Sequence, residues 1–258
     1  MTGSINTMRI CNRSTIYSDV SLRRGLIFKL NKCKSSLQIT YEHLETAEND
    51  SNSTCRQSPI NIVSPAKFII NAPTNFLDIQ YKNTIITSTK NDDDGHISYV
   101  TNIDSNYITK FNGYSYTLLQ FHFHSPAEHQ INEKIYTTEV HFVHKDITRN
   151  EYLVIAIFLD SDITNDENVF DTTIYGSNET SNIDMSKLND VLSSNFFVYG
   201  GSLTTSPFNA DVTWVVFTQP TSTDKNNIDQ PSIAGSPRPV QTTIHPAEVL
   251  EFTSNYTD

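Results

Sequence analysis

The stretch QFHFHSPAEHQ at residues 120–130 places His122, His124, His129 and the carboxylate of Glu128 within eleven positions, and EVHFVH at 139–144 adds His141 and His144. Apolar residues separate the imidazoles, the pattern of a β-strand with one specialised face. Successive side chains on a strand point to opposite faces, so His122 and His124 project together, about 7 Å apart at their Cα atoms, with Phe123 packing behind them. A short hairpin-like link containing INEK lets EVHFVH return antiparallel and brings His141 beside the pair. Imidazoles flanked by apolar side chains are costly to bury without partners, so this face demands a metal or a hydrogen-bond network. Three neutral imidazoles with a fourth position open form the ligand set of a catalytic zinc ion, whereas structural zinc is closed by four protein ligands.

A ligating histidine needs its other ring nitrogen held. Gln120 shares the parity of His122 and His124, and Glu139 shares that of His141, so both are expected as holders. Glu128 is a further carboxylate nearby; as a pure acceptor it can orient a hydroxyl that offers its lone pair inward. His144 has the opposite parity from His141 and is expected to be structural. His43, His129 and His245 carry no comparable argument, although His129 is close enough to support the cluster.

The elements that must position these groups are strands. From about Ile39 onward, β-branched and aromatic runs such as FLDIQY, HISYVTNI, YTLLQFHFH, YTTEVHFVH, YLVIAIFL and VTWVVFTQP alternate with Asn, Asp, Ser and Gly punctuation. YLVIAIFL is apolar at both parities and reads as a central strand buried on two faces. Helix is expected in two places only, around 165–171 and over 186–192, where Ser186 would cap and Leu188, Val191 and Leu192 share a face. The expected fold is therefore mainly β, one domain over 39–258.

The chain carries a formal charge of −11 and 37% hydrophobic residues, which suits a globular protein and argues against nucleic acid as a partner. No apolar run reaches the length of a membrane-spanning helix. Residues 1–38 hold seven Lys or Arg against one acid, while the remaining 220 hold eleven against twenty-eight. That basic, acid-poor leader is expected to be disordered or to act as an organellar targeting segment, with secretion as the second reading. Cys11, Cys33 and Cys55, three in number and all early, do not form a disulfide framework for the domain.

QFHFHSPAEH followed by EVHFVH resembles the metal-site signature of the α-class carbonic anhydrases. Three further stretches agree in order: QSPINI at 57–62, YGGSLTTSP at 199–207 and RPVQ at 238–241. The resemblance implies a largely antiparallel, twisted central sheet with a conical cleft, and Zn2+ held by His122, His124 and His141. It implies hydration of carbon dioxide to bicarbonate with zinc-bound hydroxide as nucleophile, and sulfonamide or anion inhibitors binding at the zinc. It assigns Gln120 and Glu139 as supports for the ligands and Thr204 as the hydroxyl linking the nucleophile to Glu128, with Thr205 beside it. It assigns Val143, Val154, Leu203, Val212 and Trp214 to the apolar wall that holds the substrate. His96, in DDDGHISYV, matches a proton-shuttling histidine, and Asp92, Asp93 and Asp94 are expected to raise its pKa by favouring imidazolium.

Departures from the family pattern are also visible. Extracellular members often join a cysteine near QSPI to one just after the threonine loop; Cys55 is present, but the loop continues with Phe208. Ser206 replaces the first of two usual prolines, and ITYEH is a reduced form of the aromatic N-terminal stretch, with Tyr41 as a match for a cleft tyrosine. Two rival readings are a cupin-type metalloenzyme and a non-catalytic binding or adhesion domain of the same fold. His122, His124 and Glu128 fit the cupin spacing, but Tyr116 and Ile135 stand where that pattern needs glycine. Binding-only relatives typically lose a ligand histidine, whereas this chain keeps all three together with Thr204 and Glu128.

Overall fold

A computed structural model describes residues 7–10, 20–22, 26–33, 36–42, 56–79, 81, 83–90, 97–101, 107–146, 148–163, 170, 180–222, 236–242 and 248–254. Four strands, β1 (Thr7–Ile10), β2 (Val20–Leu22), β3 (Leu26–Cys33) and β4 (Ser36–Glu42), form an antiparallel sheet in the order β1-β4-β3-β2. β4 runs across the compositional boundary between residues 38 and 39. Next come β5 (Asn61–Ile62), β6 (Phe68–Asn71), β7 (Leu77–Asp78), β8 (Asn83–Lys90), β9 (Ile97–Thr101), β10 (Ile108–Phe111) and β11 (Tyr114–His124). The chain continues through β12 (Gln130–Ile131), β13 (Thr138–Asp146), β14 (Glu151–Asp160), β15 (Thr180–Asp184), β16 (Phe196–Ser202), β17 (Ala210–Phe217), β18 (Thr221–Ser222) and β19 (Leu250–Thr253).

Thirteen of these strands form one large sheet whose main path is β15-β8-β9-β11-β13-β14-β17-β16-β19-β6. It is mixed but mostly antiparallel: β14 runs parallel to β17 and β18, and β19 runs parallel to β6. The expected mainly β architecture is what the chain adopts. YLVIAIFL lies on β14, between β13 and β17, with Leu153 through Asp160 all buried. Its β-branched and aromatic side chains pack on both faces, each fully buried aliphatic or aromatic contributing about 1.5–3 kcal/mol.

Alternation along the central strands divides the interior into two apolar clusters. Phe121, Phe123, Val140, Phe142, Leu153, Ile155, Ile157, Val215 and Phe217 belong to one. Val143, Val154, Ala156, Phe158, Val212, Trp214 and Val216 belong to the other. On β13 this leaves Glu139 and His141 sharing the parity of Val143, opposite the aromatic cluster.

Two local expectations need correction. The link between β11 and β13 is not a simple hairpin: β12 within it pairs in parallel with β5, tying the INEK segment to the QSPINI segment. The helix over 186–192 begins as a 3₁₀ turn at Met185–Leu188 and becomes a single α-helical turn, α1, only at Asn189–Leu192. Its N-cap position is Leu188, without a side-chain cap bond, so Ser186 does not cap it. The turn is held instead by burial of Met185, Leu188 and Val191. The helix expected around 165–171 lies outside the described residues, apart from buried Phe170. Among the described residues no helix is long and apolar enough to cross a membrane.

His144 behaves as its parity predicts. Fully buried, it faces the Phe142 carbonyl through Nδ1 at 3.0 Å and the Tyr81 hydroxyl through Nε2 at 2.9 Å. A neutral ring, donating at Nδ1 and accepting at Nε2, satisfies both. Burial holds its pKa down to about 4 from the ordinary 6.5, against the opposing pull of the Phe142 and Leu153 backbone groups. Below pH 6.5 the unfolded chain takes up a proton that the folded chain refuses, so stability falls as pH drops towards 4. The expected loss is about 3 kcal/mol across that window. Urea denaturation of wild type and His144→Gln at several pH values checks this; an equal pH slope in both would remove the assignment.

Candidate metal centre

His122 and His141 are directly paired across β11 and β13, and His124 lies two residues further along the same face of β11. The ring centroids are 5.0 Å apart for His122 and His124, 5.3 Å for His122 and His141, and 4.8 Å for His124 and His141. Each ring offers a nitrogen, and the three nitrogens lie within 4.8 Å of one another. The residues are 6%, 1% and 1% exposed, so the cluster is held almost out of water.

The orientation of two rings follows from their partners. His122 Nδ1 lies 2.9 Å from Gln120 Oε1; an amide oxygen only accepts, so Nδ1 carries the proton and Nε2 keeps its lone pair. His141 Nε2 lies 2.9 Å from Glu139 Oε1, which by the same reasoning leaves the lone pair on Nδ1. Neutral imidazoles with a lone pair on a chosen nitrogen and a held proton on the other are the donors zinc takes. The residues therefore fit a zinc ion with three protein ligands. A second group, His129, Glu139 and His141, also lies close together. Its members are joined by contacts of 2.7 and 2.9 Å between ring nitrogens and Glu139 Oε1, the spacing of N–H···O bonds, which marks it as a proton-filled support.

Glu139 is the hub of that support. Its Oε2 accepts the backbone N–H of Glu128 at 2.9 Å and of His129 at 2.8 Å, while Oε1 faces His129 Nδ1 and His141 Nε2. Burial alone would raise its pKa, but His129 and His141 outweigh burial and hold the carboxyl well below its ordinary range. From His129 the network continues: Nε2 lies 2.6 Å from Tyr199 Oη, and Tyr199 donates to Ser58 Oγ at 2.9 Å. Gly201 is required beside it, since a Cβ there would collide with Ser58 Oγ and the Tyr199 ring.

Glu128 sits against the cluster, its Oε1 3.4 Å from His124 Nδ1. Oε1 accepts the Arg238 backbone N–H at 2.7 Å, and the carboxylate also accepts the Thr204 hydroxyl. Burial pushes this carboxyl up to about 8, while those two donors favour its ionised form. A dication nearby would favour it further. Thr204 is buried in the loop between β16 and β17, and the neighbouring Thr205 accepts the Phe208 N–H through its carbonyl at 2.8 Å.

Val143, Val154, Val212 and Trp214 form one apolar cluster with Leu203 packed against it. Trp214 lies with its ring centroid 4.9 Å from that of His141, and its indole N–H donates to the Ser202 carbonyl at 2.9 Å. The apolar wall and the histidines are thus contiguous. His96, Asp92, Asp93, Asp94, Cys55, His43 and His245 lie outside the described residues, as does the side chain of Tyr41. Sequence reasoning missed the bridging role of His129, the Tyr199–Ser58 pair and the Arg238 backbone donor. Strand parity carries no information about partners delivered by other segments, and only the proximity of His129 to Glu128 hinted at one of them.

Comparisons with known proteins agree with this geometry. The sequence model of the eukaryotic-type carbonic anhydrase family matches residues 42–234. A carbonic anhydrase of Neisseria gonorrhoeae is 32% identical over 165 residues, covering 62% of this chain and 62% of that protein. One of Klebsiella pneumoniae is 31% identical over 186 residues, covering 69% of this chain and 70% of the relative. The chain therefore spans 62% of the length of the Neisseria protein it matches. Among solved structures, the α-carbonic anhydrase of Thermovibrio ammonificans in complex with the inhibitor sulfanilamide superposes with a TM-score of 0.63 at 28% identity, covering 78% of this chain and 88% of that one. With the matched segment enclosing both histidine strands and the threonine loop, the chain belongs to the eukaryotic-type, or α-class, carbonic anhydrase family.

Proposed function

We propose that this chain catalyses the reversible hydration of carbon dioxide to bicarbonate and a proton, with zinc held by His122, His124 and His141. The observation that carries this reading is the convergence of three buried imidazoles, two of them with their far nitrogens facing Gln120 and Glu139, next to a hydroxyl bonded to a buried carboxylate. Zinc, when bound, supplies a Lewis acid that makes a coordinated water acidic enough to ionise near neutral pH, as it does in carbonic anhydrases generally.

The remaining chemistry belongs to the chain's own side chains. Thr204 spends its proton on Glu128, so its oxygen is left as an acceptor towards the histidine cluster and selects a partner that itself donates. Glu128 can hold that bond only as an acceptor, a form that the Arg238 N–H favours against burial. Val143, Val154, Leu203, Val212 and Trp214 supply an apolar surface suited to a small linear molecule with no net dipole, and they exclude water from beside it. Gln120 and Glu139 fix ring orientation and ligand basicity. His96 carries the released proton to buffer, its ordinary pKa lying close to neutrality. Sulfonamides and small anions are expected to compete at the same centre. The basic segment 1–38 serves targeting rather than catalysis.

Three measurements test this. Purified protein is expected to hold one zinc per chain by atomic absorption, and His124→Asn to hold less than a tenth of that; full occupancy in the variant would exclude the ligand set. Chelation is expected to abolish carbon dioxide hydration and added zinc to restore it, and Thr204→Ala to lower kcat/KM about 100-fold, the cost of a misplaced reacting group. Activity indifferent to chelator, or to loss of the Thr204 hydroxyl, would overturn the reaction. His96→Ala is expected to lower kcat in weak buffer while leaving kcat/KM unchanged, with partial rescue by imidazole; unaltered turnover would remove the proton-transfer role.

A further inference from the structure

The geometry points to Phe208 as a positioning residue for Thr204, acting by stacking on Arg238 and so fixing the backbone N–H that holds Glu128. The kinetic part of this inference rests on the carbon dioxide hydration reading; the structural part does not.

Phe208 lies four residues after Thr204 in the loop between β16 and β17. Its φ is +58°, a left-handed conformation that an aromatic side chain rarely adopts, so something outside the residue must hold it there. Two contacts do so. The Phe208 N–H donates to the Thr205 carbonyl at 2.8 Å, and the ring lies 3.9 Å from the centre of the Arg238 guanidinium. That distance is well within the range at which a cation and a ring face attract. The loop is closed at its base by the Leu203 N–H donating to the Asn209 carbonyl at 2.9 Å.

Arg238 is fixed from three directions. One guanidinium nitrogen donates to the Ser58 carbonyl at 2.7 Å, another to Gln57 Oε1 at 2.9 Å, and Phe208 covers the planar face. A planar guanidinium satisfied at its edge and stacked on its face leaves little freedom to the backbone that bears it. That backbone donates to Glu128 Oε1 at 2.7 Å, and Glu128 in turn accepts from Thr204. The connections therefore form a closed circuit: Thr204, along the loop to Phe208, through Arg238 to Glu128, and back to Thr204. Phe208 is 38% exposed, so its ring is not needed to fill the core, and its ring instead stacks on Arg238. The circuit meets the strands that carry the histidines through Glu128, so opening it at Phe208 is expected to loosen the hydroxyl without releasing the metal ligands.

The test compares wild type, Phe208→Ala and Phe208→Tyr, with Arg238→Lys as the reciprocal change. Fluorescence of Trp214, the single tryptophan, reports folding beside the loop through its bond to Ser202. Site-resolved amide hydrogen exchange is then read at Leu203, Phe208, Arg238 and Gln241, with amides of β13 as internal reference. Phe208→Ala is expected to speed exchange at Arg238 at least tenfold, leave β13 and zinc content unchanged, and lower kcat several-fold with little change in KM. Phe208→Tyr, which keeps the ring face, is expected to restore both readouts, and Arg238→Lys to resemble Phe208→Ala. Wild-type exchange at Arg238 in Phe208→Ala, or failure of Phe208→Tyr to restore it, overturns the inference. If the zinc-loaded wild type hydrates no carbon dioxide, the proposed reaction fails while the exchange comparison still decides the role of Phe208.

Discussion

A single buried carboxylate sets the geometry of the centre. Glu139 has no exposure, yet its two oxygens face four nitrogens: the backbone N–H groups of Glu128 and His129, the ring of His129 and the ring of His141. An ionised carboxylate has enough lone pairs for all four, and a protonated one does not. Burying that charge is tolerable only because every lone-pair direction is occupied. The same group therefore determines which nitrogen of His141 keeps its lone pair and where the chain carrying Glu128 must run. His141 and the carboxylate of Glu128 are thus coupled through one side chain, and the β13 strand that presents Glu139 is the reference frame for both.

The sheet supplies the segregation that this frame requires. Along β13 the even-numbered Val140 and Phe142 enter the aromatic cluster, and the odd-numbered Glu139, His141 and Val143 line the other face. His141 and His144 show the consequence. Three residues apart, they have opposite environments: His144 is kept neutral by burial between the Tyr81 hydroxyl and the Phe142 carbonyl, while His141 turns towards Glu139 and two further imidazoles. The parallel pairing of β14 with β17 carries the same alternation onward, so that Val154 and Trp214 are neighbours on the histidine side.

The threonine loop is placed by different means. It leaves β16 where the ladder with β17 shifts register between Gly201 and Ser202, and it has no strand partner of its own at Thr204. Its position depends on side-chain bonds to segments far away in sequence. Ser58 is central to this: its oxygen receives the Tyr199 hydroxyl and the Ser202 N–H, and its carbonyl receives Arg238. Ser206 and Phe208 both lie in this loop, the part of the site least constrained by the sheet.

The clustering of His122, His124 and His141, the place of Gln120 and Glu139 beside two of them and the opposite environment of His144 were legible from the residues alone, because strand parity has a period of two and needs only local sequence. The apolar wall followed from the resemblance, and its contiguity with the histidines from the packing. The helix over 186–192 was misread in detail: the propensity of Ser186 to cap was overridden by burial of Met185 and Leu188 in a 3₁₀ turn. By itself the sequence determined which side chains share a face and which must find polar partners. Only the tertiary structure decided who those partners are: Arg238 reaches Glu128 across 110 residues, His129 meets Tyr199 across 70, and Tyr199 meets Ser58 across 141. Side-chain periodicity is a property of neighbouring residues, whereas these bonds depend on how distant strands are ordered in the sheet, which no local pattern encodes.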